Sequence, residues 1–315
     1  MRWVLLILVT VGRLNAETLF AVPWGKEAGQ LGYYNASTPP FDQPYGEGPG
    51  GIAMGPGGEI WIADQFNDRI LRFDRAGKVL GAIGAVGEAK LARPRTLWTD
   101  PGKQVAVYNS TEMSVLWQDL VTKKLVKIDK ADGKNLSQVE AIAGTPAGEL
   151  WVGDFMRSAL FRFGRAGPPQ RRPWGLAGLA VDATGQVWSI EHRPVAGARG
   201  DFWLVSADAS GASRDRFPLV APGLESPYLV GLDAKGNAVV RFIRTASPKD
   251  APKGRNPNRF VVMRFDAQGK GAILGETQVS VVSQQFVITP EGSVLGLSFD
   301  AMAAPQGAVE IVELR

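Results

Sequence analysis

Apolar runs of four or five residues recur along the chain, each broken by glycine or aspartate. Gly51–Met54 is apolar, Gly57-Gly58 is a turn, and Glu59-Ile60-Trp61-Ile62-Ala63 alternates with period two. A polar loop leads to a third run at Arg69–Phe73, and Gly77 opens a fourth. Period-two alternation between such breaks predicts antiparallel strands. The pattern then repeats. "GGEIWIADQFNDRILRFDRAG" from Gly57 aligns without a gap on "AGELWVGDFMRSALFRFGRAG" from Ala147, ninety residues later.

The offset halves. Val115-Leu116 follows Ile70-Leu71 by 45 residues, and Asp119 answers Asp74, so a weaker copy lies at Leu97–Val126. Three further units keep the grammar: Gly178–Ile190 with Asp201–Gly211, Tyr228–Ile243 with Arg259–Lys270, and Gln285–Phe299 with Gly307–Arg315. Four strands in about 40–45 residues make one β-propeller blade. The expected fold is all-β: a six-bladed β-propeller of four-stranded blades filling residues 17–315. The sixth unit ends one strand short. The open edge calls for a partner, and Glu17–Trp24 is expected to pair with Ala308–Leu314, so that the N-terminal strand joins the last blade and closes the ring.

"YGEGPGGIAMGPGGEIWIADQFNDRILRFDRAGKVLGAIG" (Tyr45–Gly84) resembles an NHL repeat. It has Gly-Pro before the inner strand, G-x-I-W-I-A-D in the second, N-x-R-I in the loop and F-D-x-x-G-K at the outer turn. The resemblance implies a six-bladed propeller and leaves the activity open.

Composition narrows the compartment and chemistry. With 45% hydrophobic and 21% charged residues, the chain is ordinary for a globular protein. No cysteine is present, so disulfides, thiolate nucleophiles and thiolate metal sites are excluded. The N-terminus reads as a signal peptide over residues 1–16: Arg2, the apolar run Trp3–Val11, and Ala16 at the cleavage point. That run is shorter than the roughly 20 residues that span a bilayer, so no integral membrane anchor is expected after processing. A secreted or periplasmic, bacterial setting follows. The net charge of +4 falls to +2 when Arg2 and Arg13 leave, which is too mild to suggest nucleic acid.

Candidate chemistry is sought where inner strands begin at the central channel. Those positions hold Gly50, Arg95, Glu140, Gly178, Tyr228 and Gln285. Arg95 and Glu140 would bring opposite charges to one opening, as a plugging ion pair or as a polar ligand site. The loops between second and third strands lengthen in blades four and five, at Glu191–Gly200 and Arg244–Asn258. Arg193, Arg244, Lys249, Lys253 and Arg255 would make them a basic rim on the same face. Asp64 with Asp154, and Trp61 with Trp151 and Trp188, are read as scaffold.

Enzymes of this architecture set further tests. Zinc-dependent amidating lyases need several histidines, and His192 stands alone. Calcium-dependent lactonases of the gluconolactonase and paraoxonase kind place acidic and amide side chains at inner-strand starts, to give the six to eight oxygens calcium takes. Here only Glu140 and Gln285 qualify. The leading expectation is a non-catalytic binding or scaffold protein, without cofactor or metal, that acts through its loop-bearing face on a protein or a small polar or acidic ligand. The alternative is a divalent-cation-dependent hydrolase or lactonase that would use calcium.

Overall fold

In a computed structural model the described residues are 16–34, 47–100, 103–145, 147–164, 168–174, 177–195, 198–208, 212–246, 258–279, 284–300 and 307–315, with the side chains of 195 and 198–200 left aside. Six four-stranded antiparallel sheets stand in a ring as a β-propeller. Blade one is Gly51–Met54, Ile60–Asp64, Arg69–Phe73 and Val79–Ile83; blade two runs from Pro94–Asp100 to Leu125–Ile128. Blade three runs from Val139–Gly144 to Gln170–Pro173, blade four from Ala180–Val181 to Ser213–Pro218, and blade five from Glu225–Leu232 to Gly271–Gln278. Blade six takes Phe286–Ile288, Val294–Ser298 and Ala308–Leu314 from the C-terminus. Its fourth strand is Glu17–Pro23, antiparallel to Ala308–Leu314 with Val22 opposite Val309. The ring is therefore closed by the N-terminal strand.

The hydrophobic core is divided among the six gaps between blades. One cluster packs Ile52, Ile62 and Phe73 of blade one on Leu297 and Ile311 of blade six. Others join blades one and two, two and three, three and four, four and five, and five and six. Both faces of a blade are thus covered, and second strands such as Ile60–Asp64 and Leu150–Asp154 are buried at every position. Fourth strands face outward, and Val79–Ile83 is exposed or half-buried throughout. Trp61 and Trp151 are 5% and 1% exposed in these clusters. Trp188 is half-buried and donates to Asp182 at 2.9 Å.

The 45-residue period has a physical meaning at positions 64, 109 and 154, occupied by Asp, Asn and Asp, all fully buried. Each side chain grips the segment that leads into its own blade. Asp64 accepts from Gly32 N–H at 2.8 Å, and Asn67 and Arg69 beside it bond carbonyls of Gly25 and Gln30. Asn109 accepts from Ala92 N–H, and Asp154 accepts from the Ser137 hydroxyl at 2.6 Å. A second device repeats at the outer strands. Glu59 pairs with Arg72, and Glu149 pairs with Arg162. In blade two the corresponding partners are Gln104 and Trp117, whose indole donates at 3.1 Å.

One expected loop is a strand. In blade four the second and third strands continue as a hairpin, Val187–Val195 against Ala198–Ala207, rather than opening at Glu191. Cross-strand pairs stabilise the extension. His192 lies opposite Phe202, ring centroids 4.9 Å apart, and the Arg193 guanidinium sits 4.9 Å from the centre of the Trp203 ring. Most of the blade-five insertion, 247–257, and residues 1–15 of the expected signal peptide lie outside the described residues.

Candidate functional site

The inner strands enclose a cavity of about 550 Å³ that runs along the channel. Its wall is polar and apolar in about equal share, and Ala141, Ala143, Ala180 and Val230 are among the apolar lining residues. Polar side chains gather where the inner strands begin: Thr96, Glu140, Tyr228, Gln284 and, from the second strand of blade five, Arg241.

Blade four makes this cluster possible. Its inner strand is only Ala180–Val181, and Gly178, at φ 91°, lies against the blade-five backbone. A Cβ at Gly178 would sit 2.2 Å from the Leu229 carbonyl oxygen, so no side chain fits there. The phenol of Tyr228 instead reaches past blade four to blade three, with its hydroxyl 3.4 Å from the Glu140 carbonyl oxygen. Burial, and then the Glu140 charge, push the Tyr228 hydroxyl up to about 12, so it stays a neutral donor at physiological pH. Glu140 Oε1 accepts from Gln138 at 2.6 Å.

Arg241 is the cross-strand neighbour of Tyr228. Its guanidinium carbon lies 4.9 Å from the centre of the Tyr228 ring and 4.5 Å from that of Phe260. Its Nε is buried without a hydrogen-bond partner. Among the described residues, no carboxylate pairs with it. Burial holds its pKa down to about 10, and the Tyr228 hydroxyl opposes that only partly.

The other expected site residues are distributed as follows. Arg95 begins the inner strand of blade two, half-buried, with an unpartnered Nε. Among the described residues it forms no ion pair with Glu140, so that pair does not plug the channel. Gln284, one residue before the expected Gln285, spans from blade six to blade two and accepts from Leu97 N–H at 2.8 Å. Gln285 also lines the cavity; it is 5% exposed and its amide donates to the Leu297 carbonyl at 2.6 Å. On the rim, Arg193 is neutralised by Asp215 and Glu191, and Arg244 by Glu276. Lys249, Lys253 and Arg255 lie outside the described residues. Sequence reasoning missed Arg241. Its signal was present: a lone cation inside the apolar run Ala238–Ile243.

A calcium ion does not fit this donor set. Glu140 is the single acidic residue of the cavity lining, and the Gln284 oxygen is already engaged. Among the described residues, no group of three or more His, Cys, Asp or Glu side chains could hold a metal.

No family model matches the sequence, and no curated protein matches it. Solved structures do resemble it. A gluconolactonase from Xanthomonas campestris superposes with a TM-score of 0.53 at 13% identity, covering 95% of this chain and 97% of its own. A virginiamycin B lyase from Staphylococcus aureus superposes with a TM-score of 0.51 at 13% identity, covering 90% and 98%. At these identities the likeness is one of fold: the chain is a six-bladed β-propeller. Among the described residues, no helix is long and apolar enough to cross a membrane.

Proposed function

We propose that the protein binds a small polar molecule in its central channel. The observation that carries this reading is the convergence of Glu140, Tyr228 and Arg241 on one cavity of about 550 Å³. That volume lies in the range of small-molecule sites, which combine apolar walls with a few placed polar groups. The described part of the rim offers a protein partner less, because Arg193 and Arg244 spend their charges on their own blades. The NHL-like signature of blade one and export through the first sixteen residues belong to the same proposal.

A second reading is enzymatic. A gluconolactonase and a virginiamycin B lyase share the fold along nearly the whole chain, which favours a hydrolase or lyase working in the same channel. Elemental analysis and a lactone-hydrolysis assay with and without chelator separate the two readings. The binding reading expects no stoichiometric divalent metal and no chelator-sensitive turnover; finding both would replace it with the enzyme.

The test of the site itself is Val230→Phe, at a half-buried wall position that also packs on the core between blades five and six. Ligands found by thermal shift with the unmodified protein should lose binding in this variant, which should fold with a circular dichroism spectrum like that of the unmodified protein although overpacking costs it about 1–3 kcal/mol. Unchanged binding would place the site elsewhere.

A further inference from the structure

The arginines of this fold show what a satisfied guanidinium looks like. Arg69 meets Asp64 at 2.9 Å and Arg72 meets Glu59 at 2.7 Å. Arg244, three residues from Arg241 on the same strand, meets Glu276. Blade five therefore supplies a carboxylate to Arg244 but, among the described residues, none to Arg241. An uncompensated charge held away from water is costly. Two aromatic faces recover part of that cost and fix the guanidinium plane. Its Nε is buried without a partner, and among the described residues no hydrogen bond or ion pair engages its terminal nitrogens, which leaves them for the cavity that this half-buried residue lines.

We infer that Arg241 is the anchor for the carboxylate group of a small monoanionic ligand in the channel. The inference rests on the channel being a small-molecule site and adds the ligand's chemical class. A guanidinium fork matches a planar carboxylate with two parallel N–H···O bonds, and the bound anion supplies the countercharge the blade omits. Glu140 lines the same cavity, and its charge is felt at the Tyr228 hydroxyl. It sets a limit: one negative group is drawn to Arg241, while a second would be repelled. Monocarboxylates should therefore bind better than dicarboxylates of similar length. The neutral Tyr228 hydroxyl provides a donor at the same place.

The test uses the whole protein at constant ionic strength with propionate, benzoate, their primary amides and succinate. Affinity is read by calorimetry and by thermal shift, which responds to binding by mass action. Propionate or benzoate should bind saturably at least tenfold more tightly than its amide. Arg241→Met, which keeps the apolar stem, should lose at least tenfold of that affinity. Succinate should bind more weakly than propionate and gain in Glu140→Gln. If the amides bind as well as the acids, the channel reading stands and the Arg241 assignment falls. If no probe of either kind binds, both fall.

Should Arg241→Met not fold, unmodified protein gives the answer. Saturating propionate should slow reaction of Arg241 with butane-2,3-dione, followed by peptide mass, and leave the rate at Arg193 unchanged. Equal rates with and without propionate would overturn the inference.

Discussion

Phe20, on the strand that closes the ring, fills the space beside Gly77 at the outer turn of blade one. A Cβ at Gly77 would lie 2.6 Å from the Phe20 ring, and Gly77 holds φ 84°. The same relationship joins Phe217 of blade four to Gly269 of blade five, where the distance would be 2.8 Å. The fourth strand of one blade thus presses a phenylalanine under the outer turn of the next. Phe20 also contacts Phe73, with ring centroids 5.5 Å apart.

Closure should be costly to undo. Deleting residues 17–24 removes a strand from blade six and Phe20 from under blade one. Thermal unfolding should shift down by ten degrees or more, since about 1 kcal/mol already moves a domain of this size by roughly 2–4 °C. Gly77→Ala, strained and crowded at once, should cost about 1–3 kcal/mol. A deletion protein that melts with the undeleted one would show that the strand is an accessory.

The tryptophans should separate by burial. Trp61→Ala and Trp151→Ala should each cost about 3–5 kcal/mol in chemical unfolding, as large-to-small core changes do. Trp188→Ala should cost less, because its ring is half-buried and rests on Arg216, whose guanidinium carbon lies 4.7 Å from the ring centre. Equal losses at all three positions would mean that blade four buries its tryptophan as blades one and three do.

The pair of Glu59 and Arg72 should show in the pH dependence of stability. The hydrogen bonds from Arg72, with help from Trp61, hold the Glu59 carboxyl below the usual range, although partial burial works the other way. A carboxyl depressed in the folded state stabilises above its unfolded value and loses that contribution as pH falls through the folded value. Glu59→Gln should therefore cost roughly 0.5–1 kcal/mol at pH 7, as partly exposed pairs do. The gap to the unmodified protein should close on acidification below about pH 4.5. A gap independent of pH would assign the loss to packing.

The buried clamp at positions 64, 109 and 154 gives a graded prediction. Asp64→Ala strands the Gly32 N–H and part of the Asn67 and Arg69 donor set, and should cost about 3 kcal/mol or more by removing one partner of a buried pair. Asn109→Ala loses only neutral bonds, to Ala92 and Lys90, and should cost about 1–3 kcal/mol. Equal costs in equilibrium unfolding would contradict the electrostatic part of this account. Because Asn109 is fully buried and doubly bonded, its Asn-Ser-Thr triplet should also remain unmodified in any glycosylating host.

Much of this architecture was legible because the repeat is physical. Each copy must bury two faces, turn at glycine and grip its leading segment, so Ile60–Asp64 and Leu150–Asp154 carry near-identical sequences. The third strand Arg69–Phe73 and the closing strand Glu17–Pro23 could be placed almost to the residue. The blade-four hairpin was not legible, because Glu191-His192-Arg193 reads as polar loop until Phe202 and Trp203 are seen across from it. Arg241 escaped for a related reason. Inner-strand starts mark a channel lining in a repeat sequence, whereas Arg241 comes from a second strand and lines the cavity beside the ring of Tyr228. Gln285 lines the cavity as expected, and Gln284, just before it and ahead of the strand Phe286–Ile288, lines it too.

The central claim is that the channel holds a small molecule. Native mass spectrometry of the protein isolated from its own cells, beside Val230→Phe prepared in the same way, tests it most directly. The account predicts a stoichiometric organic adduct of small mass on the unmodified protein, released as an acid on denaturation and absent from Val230→Phe. An adduct retained by Val230→Phe, or a bound divalent metal with no organic mass, would contradict it.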